Sequence, residues 1–339
     1  MRRALLPLAL ACLVGCDPPA PTFNPDPIWS ECTGLTEVCA LPFPASSFEE
    51  LDPATPTGRR LRVGDQADFA GAWAALGPEV YDGFSPLGSI ATWLPQGADP
   101  AGLPGDFAAS TWDSSPIALV DADVASPTYG ARLAFRVDLV ASEEGPGELM
   151  ILAPLQALHP GGRYAVIIDR RLHDASGQPL AGAPGMVARL DDTDPRDSSS
   201  AAWATTQDLV WLAEQRLGLR REDLVQAWDF HVRSDEGMTS DLRAMAAWAR
   251  TWMEEQPPRL RFVAEGRTEN HARYQFALEV PIWRTDRDAH LNRGADGRPE
   301  PVRFEDLVVT VVVPDRATED QPALPILFGH GVGVDVENM

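Results

Sequence analysis

The sequence predicts a mixed α+β chain: an N-terminal Ig-like β-sandwich, a helical connector, and the first strands of a second, incomplete sheet domain. Three observations predict it. Residues 132–139 alternate with period two, Leu133, Phe135, Val137 and Leu139 on one face against Arg132, Arg136 and Asp138 on the other. Residues 201–217 and 239–255 place apolar side chains at helical spacing. Residues 307–313 form a nearly unbroken apolar run, as expected of a strand buried on both faces of a parallel or mixed sheet.

A chain of 339 residues has room for about two domains. Its 28 basic residues, all arginine, stand against 50 acidic ones, for a net charge of −22. This balance argues against nucleic acid as a partner, because binding it requires cations to neutralise phosphate. The acidic balance favours solubility and carries no information about fold.

Residues 1–15 read as a targeting signal, with Arg2 and Arg3 ahead of a short apolar stretch at 4–14. Leu13-Val14-Gly15-Cys16 matches the bacterial lipobox, in which Cys16 is acylated and becomes the first residue of the mature chain. The alternative is an ordinary secretory signal with a chance cysteine. Without residues 1–15 the chain keeps 26 basic and 50 acidic residues, a net −24. Acyl chains contribute about 0.8 kcal/mol per buried CH₂, so several hold a protein on a bilayer almost permanently. The expected partner is therefore membrane lipid, and the expected location is the bacterial cell envelope, periplasmic or outer-surface. Export places Cys32 and Cys39 in an oxidising compartment, where they are expected to form a disulfide that contributes roughly 2–3 kcal/mol. Free thiols or a metal are the alternatives, although two cysteines at this spacing with no nearby histidine make a poor zinc site.

Residues 16–58 are proline-rich, a semi-rigid tether whose second half packs on the body through Phe43 and Phe48. The sandwich is expected over 59–190, with strands at 132–139, 148–153 and 163–170, the last with Tyr164, Val166 and Ile168 inward. Leu158-His159-Pro160-Gly161-Gly162-Arg163-Tyr164 resembles the tyrosine corner of Ig-type sandwiches. Asp174-Ala175-Ser176-Gly177 is a turn. The connector, 191–258, holds a helix at 201–217 that stops at Gly218, and a second at 239–255 halted by Pro257-Pro258. Leu242, Met245, Trp248 and Trp252 share one face of the second helix and read as core. Between the helices, 225–233 alternates as a strand with Trp228, Phe230 and Val232 buried. Residues 259–339 begin the second sheet domain, with strands at 274–280, 307–313 and 325–328 and a surface loop at 284–301.

The residues capable of chemistry are few. No His-Glu-x-x-His motif or calcium loop occurs, and Asp191-Asp192-Thr193-Asp194 reads as a solvated loop. No cofactor or metal is called for. His231, on the polar face of its strand with Asp229 and Arg233, reads as part of a surface pair. His159, His173, His271 and His290 fall in turns or polar segments. Ser85, in Asp82-Gly83-Phe84-Ser85-Pro86, fails as a nucleophile. Leu87 occupies a position that must be small, and Pro86 removes an N–H that an oxyanion hole would need. Residues 324–331, Leu-Pro-Ile-Leu-Phe-Gly-His-Gly, run an apolar strand into a His-Gly turn. Backbone N–H groups around Gly331 and Val332 could there face a developing oxyanion, with His330 structural; an ordinary strand-end turn is the alternative.

Cys39-Ala40-Leu41-Pro42-Phe43-Pro44, Thr55-Pro56-Thr57-Gly58-Arg59-Arg60, Asp82-Gly83-Phe84-Ser85-Pro86, Ala227-Trp228-Asp229-Phe230 and Gly329-His330-Gly331 together are similar to a bacterial family of secreted or lipid-anchored proteins. Its members resemble α/β hydrolases of the extracellular lipase and esterase kind, with a β-rich module ahead of the catalytic domain. The likeness spans about 37–334. It implies that 259–339 is the start of an α/β-hydrolase domain, and that a completed protein would take an ester or lipid substrate by a Ser–His–acid mechanism. No Gly-x-Ser-x-Gly occurs, so no nucleophile is present and residues 1–339 are expected to be inactive, a fragment or frameshifted reading. A truncated sheet would leave the edges near 307–313 and 325–328 open to aggregation. A non-catalytic surface-binding or structural lipoprotein is the alternative. A carbohydrate-binding module is a third reading, resting on the fold and the tryptophans.

Overall fold

The computed structural model describes residues 42–61, 81–141, 147–182, 186–187, 190, 201–286 and 290–326. The chain divides into two compact units, Met1–Met238 and Thr239–Met339. It is mixed α+β, and the paired strands are antiparallel. No helix among the described residues is long and apolar enough to cross a membrane. The Cys16 lipidation site, the Cys32 and Cys39 pair, Asp191, Asp192 and Asp194, and the His330, Gly331 and Val332 loop all lie outside the described residues.

In the first unit, β1 (Glu49–Leu51) and β2 (Arg59–Leu61) form a small hairpin. Two larger sheets follow. One has the order β3-β7-β6, from β3 (Ile90–Leu94), β6 (Phe135–Ala141) and β7 (Glu148–Pro154). The other has the order β5-β4-β8-β9, from β4 (Ile117–Asp121), β5 (Arg132–Leu133), β8 (Arg163–Asp169) and β9 (Leu224–His231). The period-two pattern at 132–139 holds, but Ala134 interrupts it: β5 belongs to one sheet and β6 to the other. Ile90, Leu94, Phe135, Met150 and Leu152 of the first sheet share one core with Ile117, Leu119, Ile168 and Phe230 of the second. A buried hydrogen bond joins the sheets, Gln226 Nε2 donating to Thr92 Oγ1 at 2.8 Å. Strand β8 departs from the expected alternation. Tyr164 to Asp169 are buried on both faces, and α2 (Ala201–Arg216), with Leu209, Leu212 and Ala213 buried, packs on the neighbouring β9.

The helical reading of 201–217 is met closely. Gly218 takes φ +66°, and the Leu217 and Leu219 amides both donate to the Ala213 carbonyl. Residues 201–231 do not stand apart as a connector, since β9 pairs with β8 along its length and α2 lies on it. Between β3 and β4, a single short turn, α1 (Phe107–Ser110), is capped by Asp106, whose Oδ1 accepts the Ala109 amide at 2.8 Å. The Tyr164 hydroxyl oxygen accepts the His159 amide at 2.8 Å, five residues upstream.

The second unit begins within α3 (Asp235–Glu255), which starts four residues earlier than its apolar periodicity suggested. Ser234 explains the earlier start, since its hydroxyl oxygen accepts the Gly237 amide at 2.8 Å and caps the helix. The aromatic stripe of α3 packs only in part. Trp248 stacks on Trp252, and both meet Phe304, but Leu242 is exposed rather than core. Strands β10 (Leu260–Arg267), β11 (His271–Ile282) and β12 (Arg303–Pro314) form an antiparallel meander. This corrects the parallel or mixed sheet expected around 307–313. β11 and β12 pair antiparallel over their whole length, from His271 opposite Pro314 to Ile282 opposite Arg303. Burial on both faces is corrected too, because Leu307, Val308, Val311 and Val312 are exposed. One face carries the rows Leu260–Leu278–Leu307 and Phe262–Phe276–Val309. Phe262 and Leu307 there are each 55% accessible. Pro325 and Ile326, expected to open a further strand, are not in one, and 327–328 lie outside the described residues.

Gly83 shows how tightly the first unit closes. At φ +151° a Cβ would lie 2.7 Å from the Arg233 nitrogen. Gly58 also has positive φ (+72°), yet nothing lies within 4 Å of its missing Cβ. Gly83→Ala is expected to cost on the order of 3 kcal/mol in urea unfolding, and Gly58→Ala about 1 kcal/mol. Equal midpoint shifts would mean that backbone conformation, not collision, sets the requirement.

Candidate functional site

The chemistry-bearing side chains of the first unit gather where residues 43–50 run along the outer edge of β9. Two needs meet there. β9 is the last strand of its sheet, so one row of its backbone groups requires partners. Its sequence also inserts Asp229 between Trp228 and Phe230, and Asp229 is only 2% exposed. An isolated carboxylate in that position would be strongly unfavourable.

The segment 43–50 answers both. The Phe43 amide donates to the Ala91 carbonyl at 2.9 Å, which fixes the segment to β3, and the Trp228 Nε1–H donates to the Pro44 carbonyl at 3.1 Å. The turn at Ser46–Phe48 then aims the Ser46 hydroxyl at Asp229 Oδ1, 2.6 Å away. From β8, Arg163 Nε donates to Asp229 Oδ2, also at 2.6 Å. Burial alone would lower the Arg163 pKa, but Asp229 and Asp208 outweigh it and hold the guanidinium charged. One turn on, Glu49 Oε1 accepts the His231 backbone amide at 2.8 Å, and Glu49 Oε2 lies 2.8 Å from His231 Nδ1. With a carboxylate as its neighbour, Nδ1 is the protonated nitrogen. Arg59 adds a third contact to Glu49 at 3.4 Å.

The Asp82-Gly83-Phe84 turn closes the other end. Phe84 pairs in parallel with Val232, its amide donating to the His231 carbonyl at 2.8 Å, and its ring meets Phe43 and Phe230 edge-on. Asp82 Oδ1 accepts the Ser234 amide at 3.3 Å, which places a negative charge at the N-terminus of α3. Thr57 donates to the Asp82 carbonyl at 2.6 Å. Ser85 is an exposed turn residue whose Oγ accepts the Leu87 amide at 3.2 Å.

The Asp229–His231–Arg233 surface pairing expected from the sequence does not form. Asp229 is buried against Arg163 and Ser46, His231 is bound by Glu49, and Arg233 lies over the Tyr81 ring at 4.6 Å. Alternation placed these side chains on one face correctly, but α2 and the 43–50 segment bury that face. Ser46, Glu49 and Arg163 were missed. The signal available was a carboxylate between two large aromatics in a strand, which calls for a buried partner. Among the described residues no group of three or more His, Cys, Asp or Glu could hold a metal ion.

Arg163 also reaches a cleft on the α2 side. About 120 Å³ in volume, it is lined by Val124, Tyr129, Arg163, Asp208, Trp211 and Leu212 among others. Burial raises the Tyr129 pKa, against the opposing pull of Arg216 and Arg163, so the phenol stays neutral.

No protein-family model matches this chain, and neither a curated protein nor a solved structure matches it.

Asp229→Asn keeps the shape but leaves Arg163 without its buried counter-charge. A loss of about 3 kcal/mol is expected in urea unfolding. Ser46→Ala removes one hydrogen bond to the same carboxylate and is expected to cost about 2 kcal/mol. A loss for Asp229→Asn no larger than that for Ser46→Ala would show that the ion pair does not dominate the junction.

Proposed function

We propose that this chain is an exported, lipid-anchored protein of the bacterial cell envelope, in which residues 42–326 act as a non-catalytic module. The module corresponds to the β-rich leading part of a secreted esterase-like hydrolase. One observation carries the non-catalytic reading: the junction's hydroxyl is engaged in holding the fold. The Ser46 hydroxyl donates to Asp229 rather than to an imidazole; Glu49 holds His231 Nδ1 as a triad acid would, but among the described residues no serine hydroxyl bonds the other ring nitrogen. A serine hydrolase needs the serine–imidazole contact that this arrangement lacks.

The Ig-like reading of the first unit draws support from two antiparallel sheets around one core and from the Tyr164 hydroxyl bonded back to His159. The hydrolase connection rests on the motifs at 39–44, 55–60, 82–86, 227–230 and 329–331, and Gly331 and Val332 are its proposed oxyanion donors. Anchoring rests on Arg2, Arg3 and the Leu-Val-Gly-Cys run ending at Cys16.

Two measurements test the proposal. The purified full chain is expected to hydrolyse p-nitrophenyl butyrate no faster than buffer. Turnover that co-purifies with the chain and is lost in Ser46→Ala or Ser85→Ala would overturn the non-catalytic reading. Cells fed a labelled fatty acid are expected to label the wild-type protein and not Cys16→Ser. Equal labelling of both would remove the anchor.

A further inference from the structure

We propose that the cleft between α2 and the 122–129 turn is a binding site for one pyranose ring of a neutral glycan. Trp211 carries the argument. It projects from α2, is 51% exposed, and stands beside Tyr129 with ring planes 23° apart and centroids 6.2 Å apart. The Arg216 guanidinium lies 5.1 Å from the Tyr129 centroid and fixes that ring in turn. The indole is thus a large apolar plate, open to solvent and supported from behind. A surface Trp usually keeps its apolar body against the protein and exposes only its polar tip. Here Leu212 is buried beneath the cleft while the indole itself stays half exposed.

The polar groups of the cleft narrow the ligand class. Arg163 Nη1 and Asp208 Oδ2 stand 3.9 Å apart, within Coulomb range but beyond hydrogen-bonding distance. Arg163 is already fixed through its Nε by Asp229, so its remaining N–H groups are presented in a set direction. One side of the cleft therefore donates and the other accepts. A cation would meet Arg163 and Arg216, and an anion would meet Asp208 and a chain of net charge −22. A flat aromatic ligand could use Trp211 but neither polar group. A sugar ring has what all three need: a C–H face for the indole, and hydroxyls that both donate and accept. A cleft of this small size, open to solvent, can seat one ring against Trp211 and not several. So small a contact holds its ligand at about millimolar Kd. This site uses none of the groups in the ester-hydrolase reading and stands apart from it.

The test is a titration of the full chain, its tryptophans carrying 5-fluorotryptophan, with cellotetraose, maltotetraose and chitotetraose, followed by fluorine NMR. At least one sugar is expected to shift the Trp211 resonance saturably, with a millimolar Kd. Trp211→Ala is expected to weaken that binding at least tenfold, Trp211→Phe by less, and Asp208→Asn about threefold. Trp112→Ala, another exposed tryptophan, is expected to leave it unchanged. Unfolding curves establish that each variant folds; because Trp211 is half exposed, Trp211→Phe keeps the test usable should Trp211→Ala fail to fold. An unmoved Trp211 resonance with all three sugars at 20-fold above about 1 mM, or equal binding by Trp211→Phe, Trp112→Ala and Asp208→Asn, overturns the proposal. So does saturable binding of choline or inorganic phosphate in place of the sugars.

Discussion

A buried carboxylate in an edge strand organises the first unit. Asp229 cannot stay charged inside β9 without partners, and β9 cannot remain the last strand of its sheet without something along its open edge. A single stretch, residues 43–50, meets both needs: Ser46 reaches the carboxylate, Glu49 takes a backbone amide of the strand, and Pro44 accepts the Trp228 indole. From the opposite side Arg163 supplies the counter-charge. Taking out either the charge or its cover would leave the other exposed to its full desolvation cost.

Among the described residues, four of the segments that suggested a likeness to secreted hydrolases meet at this junction. Phe43 and Pro44, Thr57 and Arg59, Asp82 to Phe84, and Trp228 to Phe230 are far apart in sequence yet touch around the end of β9. Their side chains are used for closure: aromatic rings edge to edge, a glycine where a Cβ would strike the Arg233 backbone, an acid at a helix start. Such segments report how a fold is held shut, and a likeness built on them speaks to architecture before chemistry.

Local pattern made much of this legible. The helix at 201–217 with its Gly218 stop, the bond from the His159 amide to the Tyr164 hydroxyl and the turn at 174–177 all follow from neighbours a few residues apart. Properties set by partners distant in sequence were not legible. Periodicity placed Asp229 on a face but could not show that α2 and residues 43–50 cover it. The apolar run at 307–313 looked like a doubly buried strand, because composition alone does not reveal which neighbour it pairs with, in which direction, or what covers the resulting sheet. Its exposed rows of Leu260, Phe262 and Leu307 are the reverse of what that composition suggests. The cleft was equally hidden, since Tyr129, Arg163 and Trp211 belong to three separate segments.

The pairing of Ser46 with Asp229 also sets a timetable. The two residues are 183 positions apart. At roughly 5–20 residues per second, a growing chain presents Ser46 some 10–40 s before its partner exists. Over that interval Phe43 can meet Phe84 and Ala91 of β3, but Ser46 and Pro44 lack the carboxylate and indole they bind. The last closure of the unit is therefore a meeting of its oldest and youngest parts. Until it happens, β9 pairs with β8 on one side only and Asp229 lacks its Ser46 partner.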